Sequence, residues 1–208
     1  MSNFLGYGED AFTLWALKNR KSEILKEFQD KTLPSDCLAF YRPSFGRGNR
    51  RHGAEFGEFD GILISTENIY LIESKWDNLA TSQNDRLILR KEQIFRHQIF
   101  SWYLTNWHNK YSRKWERFEK EHADSFQKNF ERKNIAPTGS LMAGNLEFIL
   151  SSILKHFEKV PPEHRIKNVL LFFYNKKYSS PPTKIPNGFN LVSIDYGKEI
   201  TGNFVSLD

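Results

Sequence analysis

The sequence predicts an α/β domain in which helices cover a mixed β-sheet. Residues 59–64 and 69–74 are two apolar, partly β-branched runs separated by turn residues, a pattern that predicts a β-hairpin. Nearly every position of both runs is apolar, as is typical of strands that are buried on both faces. Segments with helical spacing of apolar residues precede and follow the hairpin, and two more apolar runs come late in the chain. This order of elements favours a sheet between helical layers.

The other elements are predicted from spacing and turn residues. We expect helices over residues 10–29, 85–108, 109–134 and 142–158, and strands over 38–42, 168–174 and 189–195. The helix over 85–108 has an apolar side formed by Ile88, Phe95, Ile99 and Trp102, and a polar side formed by Arg86, Arg90, Gln93 and His97. Because no repeat or clear boundary is present, we expect one domain over 1–208. A helical insertion at about 109–160 would separate the hairpin from the last two strands.

The bulk composition is that of a globular protein, and the net charge favours an acidic partner. Of the 208 residues, 39% are hydrophobic and 26% are charged, and a net charge of +5 makes nucleic acid the commonest class of partner. No run of 18 apolar residues is present, so we expect no membrane span. The single cysteine, Cys37, excludes an internal disulfide and a cysteine-rich zinc site. Together with a first segment unlike a signal peptide, this predicts a cytoplasmic protein.

A basic segment precedes the hairpin. From Tyr41 to Gly53 the chain has four arginines and one histidine and no acidic residue. The glycines and arginines of residues 43–53 predict a flexible loop, in which Arg47, Arg50 and Arg51 contact phosphates of a nucleic acid. The alternative is a solvated loop without a partner.

The predicted hairpin brings two carboxylates together. Whether its loop has two or four residues, the strand pairing is the same, and Asp60 lies directly opposite Glu73. Directly opposed residues have Cβ atoms about 4.5–5.5 Å apart on one face, and Lys75, two positions after Glu73, shares that face. The same register places Glu58 opposite Lys75. Two carboxylates this close repel each other unless a cation or a proton lies between them.

This set has the residue types of a metal centre that hydrolyses phosphodiesters. Mg²⁺ prefers oxygen ligands and is often held by one or two carboxylates, several waters and a substrate phosphate. We therefore expect Asp60 and Glu73 to hold Mg²⁺ or Mn²⁺, and Lys75 to position or deprotonate the attacking water. The alternative is a structural ion cluster. Charges at the ends of buried strands are costly unless they are paired or functional, and this cost favours the active-site hypothesis.

These residues resemble the signature of the PD-(D/E)xK nuclease superfamily, which includes restriction endonucleases, junction resolvases and nuclease-related domains. The match consists of Asp60 in EFDGILIS and of Glu73-Ser74-Lys75 in IYLIESK. Their order after GYGED and a helix is similar to nuclease-related and Mrr-like domains, over about residues 6–107. Phe59 stands where Pro is frequent, and Ser74 stands where an apolar residue is usual. The resemblance implies a restriction-endonuclease-like fold and metal-dependent cleavage of DNA.

The resemblance also implies supporting residues. Many members have a glutamate on the first helix that contacts the metal through water, and Glu9 matches that place; its alternative role is that of a carboxylate favoured by the helix dipole. A glutamine on the helix after the ExK strand is also common, and Gln93 or Gln98 fits it. Gln93 lies on the polar side of its helix, where it would meet a phosphate backbone or only water. Gln98 is expected to point inward, where the active site or a backbone carbonyl would supply its hydrogen bonds.

The function predicted from these residues is that of a Mg²⁺-dependent endonuclease acting on DNA. Restriction of foreign DNA is the first expected role, and repair or junction resolution is the second. The aromatic residues of 109–134 are expected to pack against protein rather than stack on bases, and this segment would form a homodimer if both strands of a duplex are cut. Two other classes stay open: a DNA-binding or assembly protein without activity, and a hydrolase of a small phosphoester, which would need a closed pocket.

Overall fold

The predicted α/β class is confirmed by the computed structural model, which describes residues 4–45, 57–77, 85–130, 133–157, 160–201 and 204–208. Its helices are α1 (Gly8–Asn19), α2 (Lys21–Glu27), α3 (Lys91–Asn106), α4 (Trp115–Asn129) and α5 (Leu141–Phe157). Its strands are β1 (Leu5–Tyr7), β2 (Leu38–Tyr41), β3 (Gly61–Ile64), β4 (Ile69–Trp76), β5 (Ile166–Tyr174), β6 (Asn190–Asp195), β7 (Ile200–Thr201) and β8 (Phe204–Ser206). None of the helices described here combines the length and the hydropathy that crossing a membrane requires.

Internal contacts divide the chain into two compact units. Unit 1 comprises Met1–Arg42, Phe59–Lys91 and Lys167–Asp208, and unit 2 comprises Pro43–Glu58 and Glu92–Ile166. Unit 2 therefore includes the region 109–160 that was predicted as a helical insertion. Unit 1 holds nearly all of the strands and, with them, Asp60, Glu73 and Lys75.

A five-stranded mixed sheet in the order β2-β3-β4-β5-β6 forms the centre of unit 1. The pairs β2–β3 and β3–β4 are antiparallel, whereas β5 and β6 are parallel. In the β3–β4 hairpin Ile64 pairs with Ile69 and Gly61 pairs with Ile72, which is the register predicted from the sequence. All four residues of β3 and the first six of β4 are buried, so the prediction of a hairpin covered on both faces is confirmed.

Asp30 fixes the turn of this hairpin. Its Oδ2 accepts hydrogen bonds from Ser65 Oγ (2.5 Å), Asn68 Nδ2 (2.9 Å) and the Tyr70 hydroxyl (2.6 Å), and its Oδ1 accepts one from the Thr32 amide. Burial alone would raise the pKa of Asp30, but these hydrogen bonds outweigh it and hold the pKa well below its ordinary value. A carboxylate thus ties residues 30–32 to the turn and excludes other registers of β3 against β4.

The first helical region covers one face of the sheet with a break that the sequence analysis missed. Instead of one helix over 10–29, the structure has α1 and α2, which meet at Arg20 with φ −128° and ψ 22°. On an unbroken helix of about 100° per residue, Phe12 and Leu25 would lie about 140° apart. The break turns both side chains into the same core, where Leu25 and Phe12 are buried together with Tyr70 and Ile72.

A small second sheet of unit 1, in the order β1-β8-β7, was also missed. Its strands have only two or three residues each, too few for a period-2 pattern to stand out. Gly6 of β1 pairs with Val205 of β8. A Cβ atom at Gly6 would lie only 2.6 Å from Ala11 Cβ and 2.7 Å from Leu207 Cδ1, so this position requires glycine.

The prediction of a helix over 85–108 is wrong at its start, because α3 begins only at Lys91. Residues 85–87 instead pair with residues 183–184: the Leu87 amide donates to the Lys184 carbonyl (2.9 Å), and the Lys184 amide donates to the Asp85 carbonyl (3.1 Å). These backbone groups are therefore not free for an α-helix. Ile88, predicted on the apolar side of the helix, is 73% exposed.

The predicted faces of α3 are only partly right: Ile99 is buried and Phe95 and Trp102 are half-buried, as predicted for the apolar side, but the polar side is wrong. The buried residues of this helix are Gln93, His97, Ile99, Phe100, Tyr103 and Leu104. Positions 93, 97, 100 and 104 follow helical spacing, so Gln93 and His97 belong to the inward side rather than to a polar outer side. Gln98, expected to point inward, is exposed because it lies about 140° around the helix from Gln93.

Unit 2 is held together by aromatic packing, as expected for residues 109–134. This region forms a 3₁₀ turn followed by α4, and Tyr111, Trp115, Phe118 and Phe126 are buried. Their rings lie against Trp102, Tyr103 and Trp107, with centroid distances of 4.9 Å for Trp102–Phe126 and 5.1 Å for Trp107–Phe118. The aromatic side of α4 is thus used inside unit 2.

We predict that Asp30→Asn lowers the free energy of unfolding by about 2–4 kcal/mol, because an amide cannot accept the three hydrogen bonds that converge on Oδ2. The pKa of Asp30 is lower in the folded state, so the stability that its charge contributes is present above pH 3.8 and is lost as the pH falls below that value. The measurement is urea unfolding at pH 7 and pH 3. Asp36→Asn, at an exposed turn position, is the control. Equal small effects of both variants at pH 7 would refute the role of Asp30.

Candidate active site

Asp60 and Glu73 lie opposite each other at the end of the β3–β4 hairpin. Gly61 pairs with Ile72 at the end of the ladder, and the same register makes Asp60 and Glu73 the next opposed pair. The Asp60 carbonyl accepts a hydrogen bond from the Arg42 amide (3.2 Å), which continues the β2–β3 pairing to this residue. Glu73 is only 1% exposed. The structure therefore brings together the two carboxylates that the register predicted.

The backbone of Ser74 holds the Asp60 side chain. The Ser74 amide donates to Asp60 Oδ2 at 2.7 Å, so the carboxylate is directed along β4 rather than into solvent. Gly61, the next residue, lies close under α1: a Cβ atom there would be 2.8 Å from Leu17 Cδ1. The glycine after Asp60 thus allows α1 to pack closely on the strand that carries this carboxylate.

The Ser74 side chain explains why a polar residue stands in the middle of the ExK motif. It points to the face opposite Glu73 and Lys75, where it is fully buried against α1. There its Oγ lies 2.7 Å from Thr13 Oγ1, and the Thr13 hydroxyl is 2.8 Å from the Glu9 carbonyl. Because each hydroxyl has one proton, Thr13 donates to Glu9 and accepts from Ser74. This chain of hydrogen bonds joins β4 to the first turn of α1.

Glu9 and Lys75 form an ion pair next to the carboxylates. Lys75 Nζ lies 3.2 Å from Glu9 Oε1, and it also donates to the Ser74 carbonyl. The Lys75 side chain is 16% exposed and the Glu9 side chain 37% exposed, so the pair is partly shielded from water. Glu9 belongs to the first turn of α1. Its place suits the helix-dipole role, and the ion pair with Lys75 is a contact that the sequence analysis did not predict; the water-mediated contact with a metal stays a prediction.

Burial and neighbouring negative charges make the Asp60 carboxyl hard to ionise. The pKa of Asp60 is raised from 3.8 to about 7, first by burial and second by the negative charge of Glu73, with a further contribution from Glu9. The Ser74 amide and the Lys75 charge lower the pKa but do not cancel these effects. Near neutral pH the pair therefore keeps a proton that a bound cation would replace.

The donor set fits an ion that needs few protein ligands. In the ranges that the structure describes, no group of three or more His, Cys, Asp or Glu side chains is arranged to hold a metal. This disfavours a zinc site with four protein ligands. Two carboxylates on adjoining strands suit Mg²⁺ or Mn²⁺, which complete their coordination with water and substrate phosphate. Asp60 and Glu73 are the residues that would hold such an ion.

The other predicted site residues belong to unit 2 or lie outside the described residues. Gln93 and Gln98 belong to unit 2, one buried and one exposed. Glu58 also belongs to unit 2, where its carbonyl accepts a hydrogen bond from Arg96. Arg47, Arg50 and Arg51, predicted to contact phosphates, lie outside the described residues.

Two residues that position the site were missed by the sequence analysis. Thr13 is 1% exposed on the inner side of α1, among Phe12 and Ala16. A threonine at i+4 from Glu9 on an apolar helix face was the available signal, since a buried hydroxyl needs a partner. Asp77, at the end of β4, accepts a hydrogen bond from the Tyr196 hydroxyl (2.7 Å) and another from the Asn175 amide (3.0 Å). No local pattern marks it, because both partners are about 100 residues or more away.

Comparison of the chain with family models, with curated proteins and with solved structures found no match. The resemblance to the PD-(D/E)xK superfamily therefore stays a prediction that rests on the residues quoted above.

We predict that Asp60→Asn stabilises the metal-free protein, and does so more as the pH rises from 5 to 8. The pKa of Asp60 is higher in the folded state, so its contribution to stability is greatest at low pH and is lost as the pH rises from 3.8 through about 7. The change is at most about 1.4 kcal/mol per pH unit. Thermal unfolding in EDTA at several pH values measures it, and Asp36→Asn should give a flat difference. A flat difference for Asp60→Asn too would mean that neither burial nor Glu73 raises the pKa of Asp60.

Proposed function

We propose that this protein is a metal-dependent endonuclease that hydrolyses phosphodiester bonds of DNA. The observation that carries the proposal is the opposed pair Asp60 and Glu73, with the pKa of Asp60 raised to about 7 and the Lys75 charge close enough to lower it. A buried carboxylate, a partly buried carboxylate and a lysine converge at one strand end, where an apolar set would cost less if the role were only structural. They have a clear use around a divalent ion.

The residues divide the chemistry among them. Asp60 and Glu73 would bind Mg²⁺ or Mn²⁺, which supplies polarisation of the phosphate and activation of a water. Lys75 orients the attacking water and stabilises the negative charge that develops on the phosphate oxygens. Glu9 holds the Lys75 ammonium through their ion pair, and Thr13 and Ser74 hold α1 against β4 so that this pair keeps its position.

DNA is proposed as the substrate on grounds of charge and resemblance. The chain has a net charge of +5, and basic proteins favour polyanionic partners. Restriction of foreign DNA is the first proposed role, and repair or junction resolution is the second. A homodimer bound to one duplex would cut both strands. Preferential cleavage of a four-way junction over a plain duplex would indicate junction resolution rather than restriction.

A DNA-binding or assembly protein without activity is the second candidate. It is favoured by the absence, among the described residues, of any group of three or more metal-ligand side chains. It differs from the first proposal in one measurable respect, because it needs no metal.

We predict that Mg²⁺ raises the melting temperature of the wild-type protein, and more at pH 8 than at pH 6. At ten times its dissociation constant the ion should add roughly 3–6 °C. The effect is larger at pH 8 because the ion then need not displace the Asp60 proton. Asp60→Asn and Glu73→Gln should remove the shift, and Asp36→Asn should keep it. A shift that survives both site variants would place the ion elsewhere.

We predict metal-dependent cleavage of plasmid and linear DNA that falls by about 100-fold or more in Lys75→Ala, because the positive charge beside the phosphate is lost. Lys155→Ala, at an exposed position of α5, is the matched control and should cut like the wild type. EDTA should stop all cleavage.

The same assay decides between the two candidates. The substrates are plasmid, linear, junction and single-stranded DNA, each with Mg²⁺ or Mn²⁺. Salt-sensitive binding without cleavage of any of them would support the DNA-binding protein and exclude the nuclease. Cleavage that persists in Lys75→Ala would overturn the role given to this lysine.

A further inference from the structure

The loop that joins β5 to β6 exposes an aromatic ring beside lysines. Tyr178 is 76% exposed, and Lys177 Nζ lies over its ring at 5.2 Å from the centroid. A pocket of about 670 Å³ adjoins the ring, and Lys176, Lys177 and Lys198 line it. An exposed ring among cations is the combination by which proteins hold single-stranded nucleic acid, since the ring stacks on a base and the cations meet phosphates.

The pocket is positively charged. Of the residues that line it, three are lysines and one is an aspartate, which gives a formal charge of +3 − 1 = +2. The aspartate, Asp195, is turned toward backbone amides: its Oδ1 accepts from Gly197 N at 2.9 Å and from Lys176 N at 3.3 Å. The nearby Glu199 pairs with Arg20. These carboxylates are engaged with other groups, so the lysines remain the charges that a ligand would meet.

A second pocket lies against Tyr178. It has a volume of about 370 Å³, and Leu87, Phe172 and Arg86 are among its lining residues. Lys177 lines only the first pocket. Tyr178 therefore separates a basic pocket, suited to phosphates, from a partly apolar one, suited to a base.

The loop holds Tyr178 in a fixed place close to the proposed catalytic strand. Asp77 accepts hydrogen bonds from the Asn175 amide (3.0 Å) and from the Ser179 hydroxyl, and the Tyr178 amide donates to the Asn175 carbonyl (2.8 Å). Asp77 follows Lys75 by two residues, which is about 7 Å along an extended chain. The carboxylate that anchors this loop is thus an immediate neighbour of the ExK motif.

We propose that this surface binds one strand of nucleic acid, with a base stacked on Tyr178 and adjoining phosphates held by Lys176, Lys177 and Lys198. The inference rests on the proposed function and adds to it the surface that holds the strand beside the cleavage site. The Lys177–Tyr178 contact does not prevent stacking, because a base stacked on an aromatic ring contributes more binding free energy than an exposed ammonium over the same ring. A displaced ammonium would stay within reach of a phosphate.

The test measures binding of a fluorescein-labelled single-stranded DNA of about twelve nucleotides in EDTA, where no cleavage takes place. We expect Tyr178→Ala to weaken binding by about tenfold and Tyr178→Phe to change it by less than about twofold, since the ring is kept. The double variant Lys176→Gln/Lys198→Gln should weaken binding and lower the salt slope by about 1.4, the value for two phosphate contacts on a single strand. Phe148→Ala and Lys155→Gln, at exposed positions of α5, are the controls.

Competition experiments test whether charge alone, without stacking on Tyr178, accounts for the binding. Inorganic phosphate or polyglutamate at equal charge should displace the oligonucleotide poorly, because neither stacks on a ring. Equal displacement by polyglutamate, or wild-type affinity in Tyr178→Ala, would overturn the proposal.

Cleavage assays run alongside keep the two proposals apart. If the wild type cuts DNA and Tyr178→Ala binds the oligonucleotide normally, the surface is refuted and the nuclease stands. If binding depends on Tyr178 and nothing is cut with any metal, the surface stands and the nuclease is refuted.

Discussion

The buried carboxylate of Asp30 is the constraint on which the candidate site depends. Strand side chains alternate between the two faces of a sheet, so a slip of one residue between β3 and β4 would move every side chain of the slipped strand to the opposite face. Apolar residues cover both faces of this hairpin and would tolerate such a slip better than an alternating strand. Three hydrogen bonds to one oxygen of Asp30, two from the turn and one from Tyr70 of β4, prevent it. The opposition of Asp60 and Glu73 is thus decided at the far end of the hairpin.

A second constraint acts at the near end, where α1 meets β4. The Thr13 and Ser74 hydroxyls fix the helix against the strand, and Gly61 lets it approach closely. The first turn of α1 then lies where Glu9 reaches Lys75. The site is therefore built from three separate parts of unit 1, in which the Ser74 amide holds Asp60 and Glu9 pairs with Lys75.

Sequence reasoning succeeded where a local pattern carried the information. The hairpin register followed from two apolar runs and the turn residues between them, and it was enough to place Asp60 opposite Glu73. It failed where distant contacts decide local structure. The break at Arg20 depends on which core Leu25 enters, the non-helical start at Asp85 depends on residues 183–184, and the faces of α3 depend on what packs over Gln93 and His97. The strands β1, β7 and β8 are too short to carry a pattern at all.

Strand β1, which leads directly into the helix that carries Glu9, has β8 as its partner in the small sheet. Unit 1 is thus assembled from the first, middle and last parts of the chain, with the residues of unit 2 made in between. Proteins emerge from the ribosome N-terminal end first, and contacts between distant residues form late. The surroundings of Asp60, Glu73 and the Glu9–Lys75 ion pair are therefore incomplete until residues 204–206 have been synthesised. Until then, unit 1 of a nascent chain lacks the strand that pairs with β1.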